Sequence, residues 1–150
     1  MDDLYGYYFE DLRVGMTDVI SRTVTESDIV LFAEMTGDTN PVHLDQAFAE
    51  QTMFKGRIAH GVLGAGLISA VFGTKLPGAG CIYVDQNLRF RAPVRIGDTM
   101  VARVTLKELI LAKNRAIFDT RCVVGDTVVV EGDATLMVES RPAAQTVAAE

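Results

Sequence analysis

Polar and apolar positions along the chain change period several times, and each change marks an element. From Thr17 to Val24 the polarity partly alternates behind Gly15, which predicts a half-buried strand. Thr25-Glu-Ser-Asp28 follows, a Thr-x-x-acid pattern whose hydroxyl can accept an early backbone N–H while the acidic residues favour the positive end of a helix. Ile29, Val30, Phe32 and Ala33 supply the apolar face of that helix, and Gly37 ends it, since glycine readily adopts the left-handed conformation of a C-cap. Asn40-Pro41 then imposes an extended or turned backbone. A short helical turn is expected around Asp45 to Gln51.

From His60 to Phe72 the sequence is apolar nearly all round, the mark of a helix buried on most sides. Gly64 and Gly66 each cost about 1 kcal/mol against alanine there, so each needs a packing or pocket reason. Beyond the turn-rich Leu76-Pro-Gly-Ala-Gly80 the chain reads as four strands, Cys81–Phe90, Asp98–Ile110, Arg115–Val124 and Thr127–Glu139, punctuated by Gly97-Asp98 and Gly125-Asp126. With no helix between those strands, the expected class is α+β with an antiparallel sheet. A long curved sheet wrapped around the apolar helix would cover it. The Ala-rich tail, 141–150, is expected to fray.

The chain has 150 residues, the length of one domain, so 1–150 is read as a single unit. Its 14 Lys+Arg against 20 Asp+Glu give a formal charge of −6, which argues against nucleic acid as a partner. Hydrophobic residues at 49% supply a packed core and leave no compositional case for disorder. Cys81 and Cys122 sit in apolar runs without metal-ligand spacing and read as reduced core residues. The acidic, aromatic N-terminus lacks the character of a signal peptide, and the apolar run around Ile58 to Phe72 is too short for a membrane span. A cytoplasmic location and no membrane partner are expected.

Chemistry concentrates in Thr36-Gly-Asp-Thr-Asn-Pro-Val-His43, where Asp38 and His43 lie five positions apart across the Asn-Pro turn. A loop held by Pro41 can turn both side chains into one cavity, and unperturbed pKa values of about 3.9 and 6.5 make them a workable proton-transfer pair. Taken singly, Asp38 also fits a turn former whose carboxylate binds nearby N–H groups, and His43 a satisfied, partly buried histidine. His60, the other histidine, could join the site or simply start the helix; two histidines seventeen positions apart are weak grounds for a metal. Ser69 lacks a nucleophile elbow and reads as helix packing. Gly61, if the buried helix begins there, leaves a backbone N–H at a positively polarised helix end, suited to a carbonyl oxygen that gains charge. It also fits a tight helix start.

These residues make the sequence resemble the MaoC-like dehydratases and (R)-specific enoyl-CoA hydratases, which share the hot-dog fold. The resemblance rests on Phe32-Ala-Glu-Met-Thr-Gly-Asp-Thr-Asn-Pro-Val-His43 with Ala49 beyond it, on Arg57-Ile-Ala-His-Gly61, and on Leu76-Pro-Gly, Phe90-Arg-Ala-Pro-Val and Gly97-Asp98. Met35 stands where an aliphatic residue or glycine is more usual, and Gly66 where some relatives carry a larger or polar residue. The resemblance implies that Asp38 and His43 activate water for addition to a trans-2-enoyl-CoA, giving an (R)-3-hydroxyacyl-CoA, while the Gly61 N–H binds the thioester carbonyl. Asn40 would support the turn and bind within the site. It further implies an acyl-CoA substrate of short to medium chain, no metal and no cofactor beyond the CoA of the substrate, and a homodimer or higher homo-oligomer. Lys55, Arg57, Arg89, Arg91 and Arg95 are candidates for a basic rim facing the CoA phosphates, or plain solvated surface. A thioesterase, an acyl-carrier-protein dehydratase and a non-catalytic acyl-thioester binding module are the competing readings.

Overall fold

The computed structural model describes residues 4–143. Strand β1 spans Thr17–Thr23 and helix α1 Glu26–Thr36. Thr25 caps α1 as a reciprocal box: its side chain accepts from the Asp28 N–H at 3.1 Å, and the Asp28 carboxylate accepts from the Thr25 N–H at 3.1 Å. Gly37 closes the helix in the left-handed conformation, at φ 80°. Two short helices, α2 (Pro41–Leu44) and α3 (Gln46–Glu50), lead towards the long helix α4 (Val62–Thr74). The chain then runs through β2 (Ile82–Gln86), β3 (Arg89–Phe90), β4 (Thr99–Ile110), β5 (Arg115–Val124) and β6 (Thr127–Met137).

All six strands form one antiparallel sheet in the order β1-β4-β5-β6-β2, and β3 shares the outer edge of β6 with β2. Alternation sets its inner face: Met100, Ala102, Val104 and Leu106 of β4 and Ala116, Phe118 and Cys122 of β5 are buried. Helix α4 lies across β1, β4 and β5 and buries Gly64, Ile68, Val71 and Phe72. This is the sheet wrapped around a central helix that defines a hot-dog domain. Gly64 is what lets helix and sheet touch, since a Cβ there would stand 3.2 Å from Val130 Cγ2 and 3.3 Å from Cys122 Sγ. Gly66 is different; a Cβ on it would meet nothing within 4 Å.

Three expectations need adjusting. The strand expected over Cys81–Phe90 is broken into β2 and β3, because Asn87 leaves the ladder to cross over Gly132: the Asn87 N–H donates to the Asp133 carbonyl at 3.0 Å, and a Cβ on Gly132 would stand 1.9 Å from the Asn87 oxygen. The Asn40-Pro41 segment is tighter than a loop. Proline occupies the first turn of α2, where its missing N–H costs nothing. The tail is held at its start: Arg141 forms a bidentate ion pair with Asp11 at 2.9 and 3.0 Å and lies over the Tyr8 ring at 5.0 Å. The remainder of that tail, 144–150, lies outside the described residues.

Asp28 carries a pH dependence. Its hydrogen bonds to the Arg22 guanidinium and to the Thr25 N–H hold its carboxyl below the ordinary value. A depressed folded-state pKa contributes stability that is present above the unfolded value and lost as pH falls through the folded one. Asp28→Asn is therefore expected to flatten the acid limb of a urea-midpoint profile relative to the unaltered protein. Gly132→Ala is expected to cost about 1–3 kcal/mol, read from urea denaturation, because the clash is with main chain and not with a side chain that could turn away.

Candidate active site

His43 is placed by the four-residue helix α2. Asn40 caps α2, its side-chain oxygen accepting the Val42 N–H at 3.1 Å, and His43 follows one turn later with 8% of its surface exposed. The His43 Nδ1 lies 2.8 Å from the Ile58 carbonyl. A carbonyl only accepts, so Nδ1 carries the proton and Nε2 presents a lone pair. Arg57 braces the same helix, with Nε donating to the His43 carbonyl at 2.6 Å and both terminal nitrogens on Glu26 at 2.7 and 3.0 Å. One half-buried guanidinium thus ties the start of α1 to the end of α2.

Asp38 sits in the turn between α1 and α2. Its N–H donates to Thr36 Oγ1 at 3.1 Å and its carboxylate accepts the Asn40 N–H at 3.3 Å, so it does form the turn. It does more as well. Ligand-type atoms of Asp38, His43 and His60 all lie within 4.8 Å of one another. The two histidine rings stack with centroids 3.9 Å apart and planes tilted by 31°, and Phe32 closes the other side of His60 at 4.7 Å. His60 Nε2 donates to the Asp38 carbonyl at 3.0 Å. Its Nδ1 is buried without a partner among the described residues.

Gly61 follows directly, as the N-cap of α4. Its N–H meets no protein acceptor among the described residues, as the first turn of a helix leaves it. The Phe90 ring lies against it, so close that a Cβ on Gly61 would be 2.9 Å from Phe90 Cδ1. His43, His60 and Gly61 all line one cavity of about 300 Å³, mostly apolar, whose walls include Phe54, Ile58, Phe90 and Pro93 and which also reaches Gly64, Met100 and Val130. A polar end with an acid, an imidazole lone pair and a free N–H thus adjoins an apolar hollow. That arrangement can hold a water beside the unsaturated carbon chain of a thioester.

Of the residues singled out in the sequence, Asp38, His43 and Gly61 come together here. Asn40 supports the turn as expected, its side-chain oxygen capping α2; like Asp38, it is not among the residues that line the cavity. The basic candidates divide. Arg57 is committed to Glu26 and the His43 carbonyl, Arg91 pairs with Glu131 at 2.7 Å, and Arg95 donates to the Phe54 carbonyl at 2.5 Å. Lys55 and Arg89 hydrogen-bond through their main chains, and their side chains have no ion pair or hydrogen bond among the described residues. Ser69 is exposed on α4 and lines no part of the cavity. Both cysteines are free, and burial raises the Cys122 thiol to about 12, leaving it inert. His60, which the sequence left open between joining the site and starting the helix, lies in it; the bracing contacts of Arg57 were not read from the sequence, where it stood as a candidate for the basic rim.

Comparison with known proteins gives the family. The family model of the MaoC like domain matches residues 15–133. An (R)-specific enoyl-CoA hydratase of Rhodospirillum rubrum is 54% identical over 93% of this chain and 97% of its own length. A 3-hydroxybutyryl-CoA dehydratase of Methylorubrum extorquens is 49% identical over 99% of this chain and 94% of its own. The unliganded R-hydratase of Pseudomonas aeruginosa superposes with a TM-score of 0.85 at 42% identity, covering 91% of this chain and 88% of that one. The chain belongs to the MaoC-like dehydratase family.

The Arg57 brace is testable on its own. Arg57→Leu removes a charge-assisted bond to the His43 carbonyl and leaves the last turn of α2 unheld, so the expected loss is about 1.5–3 kcal/mol in urea denaturation. Arg57→Lys should recover little of it, because an ammonium cannot span the carbonyl and both Glu26 oxygens.

Proposed function

We propose that this protein adds water to trans-2-enoyl-CoA thioesters to give (R)-3-hydroxyacyl-CoA, and runs the reverse dehydration. The observation that carries this reading is that His43 and the unpartnered Gly61 N–H line the polar end of one apolar cavity, with Asp38 behind them, its ligand-type atom within 4.8 Å of that of His43. The sequence relatives named above are a hydratase and a dehydratase of such thioesters.

The tautomer of His43 organises the chemistry. With Nδ1–H given to Ile58, Nε2 accepts one hydrogen of a water while the Asp38 carboxylate accepts the other. The water oxygen is then left facing C3 with a lone pair. As the C3–O bond forms, Asp38 takes a proton from the water and the C2=C3 electron pair moves towards the thioester carbonyl, whose oxygen is bound by the Gly61 N–H. That donor sits at a helix N-terminus and meets more charge in the transition state than in the ground state, which is where binding lowers a barrier. The proton returns from Asp38 to C2 on the face from which the oxygen came. One water has crossed the double bond, and both groups end as they began.

The site needs no metal in this reading. Asp38 and His43 supply its proton transfers and the Gly61 N–H its carbonyl binding. Short to medium acyl chains suit the hollow of about 300 Å³ that reaches Gly64, Met100 and Val130. Lys55 and Arg89, the uncommitted cations, are the residues left to meet the CoA phosphates.

A homodimer is also part of the reading. The outer edge of β2 carries no partner strand among the described residues, and its Ile82 and Val84 are 49% and 47% exposed. Tyr83 and Val84 adjoin Ala65 of α4 around a shallow hollow, so edge and helix form one surface. A second copy laid edge to edge would cover both. No helix among the described residues is long and apolar enough to cross a membrane, and the free thiols of Cys81 and Cys122 fit the reducing cytoplasm.

Crotonyl-CoA and octenoyl-CoA are the substrates to try first, following the enoyl-thioester absorbance and the stereochemistry of the product. Loss of the band with (R)-3-hydroxyacyl-CoA formed is the expected result; release of free thiol with the band intact would make the protein a thioesterase instead. Asp38→Asn and His43→Gln, checked for folding, should each lower turnover by about 10²–10⁴-fold, and near-normal turnover in either would remove that residue from the mechanism. The unaltered protein should sediment as a dimer and Val84→Lys as a monomer.

A further inference from the structure

We propose that His60 is a positioning residue for the Asp38–His43 pair: its ring nitrogen holds the Asp38 main chain and its face holds the His43 ring. Three observations lead there. The side chain is 2% exposed, yet it makes its one hydrogen bond to the main chain of the candidate base, at 3.0 Å across 22 positions of sequence. Its ring is sandwiched between Phe32 of α1 and His43 of α2. It directly precedes Gly61, so the same stretch of chain that presents the carbonyl-binding N–H also carries the brace.

The buried, unpartnered Nδ1 excludes the plain alternative that His60 merely fills space. An apolar side chain of similar size would fill the gap between Phe32 and His43 without leaving a polar atom unsatisfied in the interior, which is costly. What histidine adds over phenylalanine is Nε2–H, and that proton goes to Asp38. The carbonyl partner places a hydrogen on Nε2. The ring presents its flat face to the imidazole that holds the water. Asp38 itself has little else to fix its position, since it lies in an exposed turn with its main-chain N–H on Thr36 and its carboxylate on the Asn40 N–H. Without His60 the turn could drift from His43 while both residues stayed present. A drift of about 1 Å in such a pair is enough to cost about 10²-fold in rate.

Two substitutions separate the parts of this role. His60→Phe keeps the ring between Phe32 and His43 and removes the donor; His60→Gln keeps a donor at nearly the same reach and removes the ring. With crotonyl-CoA, His60→Phe is expected to lower kcat by about 10–100-fold with KM within about threefold, because substrate still enters the cavity while the water is misplaced. His60→Gln is expected to regain about tenfold in kcat over the phenylalanine variant. Nitrogen-15 spectra of the unaltered protein should show His60 protonated at Nε2 only, and spectra of the phenylalanine variant should show altered His43 ring shifts. The inference is overturned if the folded phenylalanine variant keeps kcat within about threefold of the unaltered protein, if glutamine restores nothing, or if His60 carries its proton on Nδ1. The kinetic arm rests on the hydration reading and the spectroscopic arm does not: an unaltered protein inactive on every enoyl-CoA, with His60 still protonated at Nε2 only, would sink the hydration reading and leave the brace standing.

Discussion

Burial of α4 is the constraint from which the rest of the structure follows. A helix apolar on nearly every side cannot be covered by one flat face, and the sheet answers by curving around it, with Gly64 bringing the two within side-chain contact of Val130 and Cys122. Once the helix is seated, its first turn is seated too. Gly61 has no freedom to be elsewhere, and the N–H at the cavity mouth is as rigid as the core behind it. A binding group borrowed from secondary structure needs no side chain to order and is in place before substrate arrives.

The catalytic pair is held by a different means. Asp38 and His43 lie on a turn and a four-residue helix, elements too short to be stable alone. Their positions come from polar contacts to longer elements: Asn40 and Pro41 start α2, Ile58 fixes the His43 ring, and Arg57 carries the last turn of α2 to Glu26 at the start of α1. Helix α1 is in turn secured by its own capping box and by the pairing of Arg22 with Asp28. The route from the sheet to the acid runs through hydrogen bonds at each step, whereas the route to Gly61 runs through packing.

Much of this was legible in the sequence, and what was legible was local. The ends of α1 followed from Thr25, Asp28 and Gly37, and the long strands followed from runs of strand-favouring residues punctuated by Gly97-Asp98 and Gly125-Asp126, because capping, composition and turns are properties of neighbours in the chain. The break at Asn87 was not legible. It depends on Gly132, some 45 positions later, leaving room for a main-chain oxygen. Arg57 was hidden and His60 left open for the same reason: an arginine in sequence is a surface cation until a carboxylate 31 positions earlier is seen to meet it, and a histidine before a glycine is a helix start or a site residue until its ring is seen against another ring. Asn40 shows the converse, a residue that the site motif contains for the sake of backbone geometry.

Satisfied and unsatisfied polar groups then sort the site. Around the cavity the protein accounts for its buried donors and acceptors: His43 Nδ1, the His43 carbonyl and the Ile58 and Asp38 carbonyls all have partners. Among the described residues, the N–H of Gly61 and Nδ1 of His60 have no such partner. A folded chain tolerates such exceptions where something offsets them. For Gly61 the offset is a carbonyl oxygen that arrives with the substrate. For His60 it is the bond made by the opposite nitrogen, which a residue without a second ring nitrogen could match only by giving up the flat face against His43. The unsatisfied atom is the cost of having both a ring and a donor at one buried position, and it falls where the proton-transfer pair would otherwise be free to move.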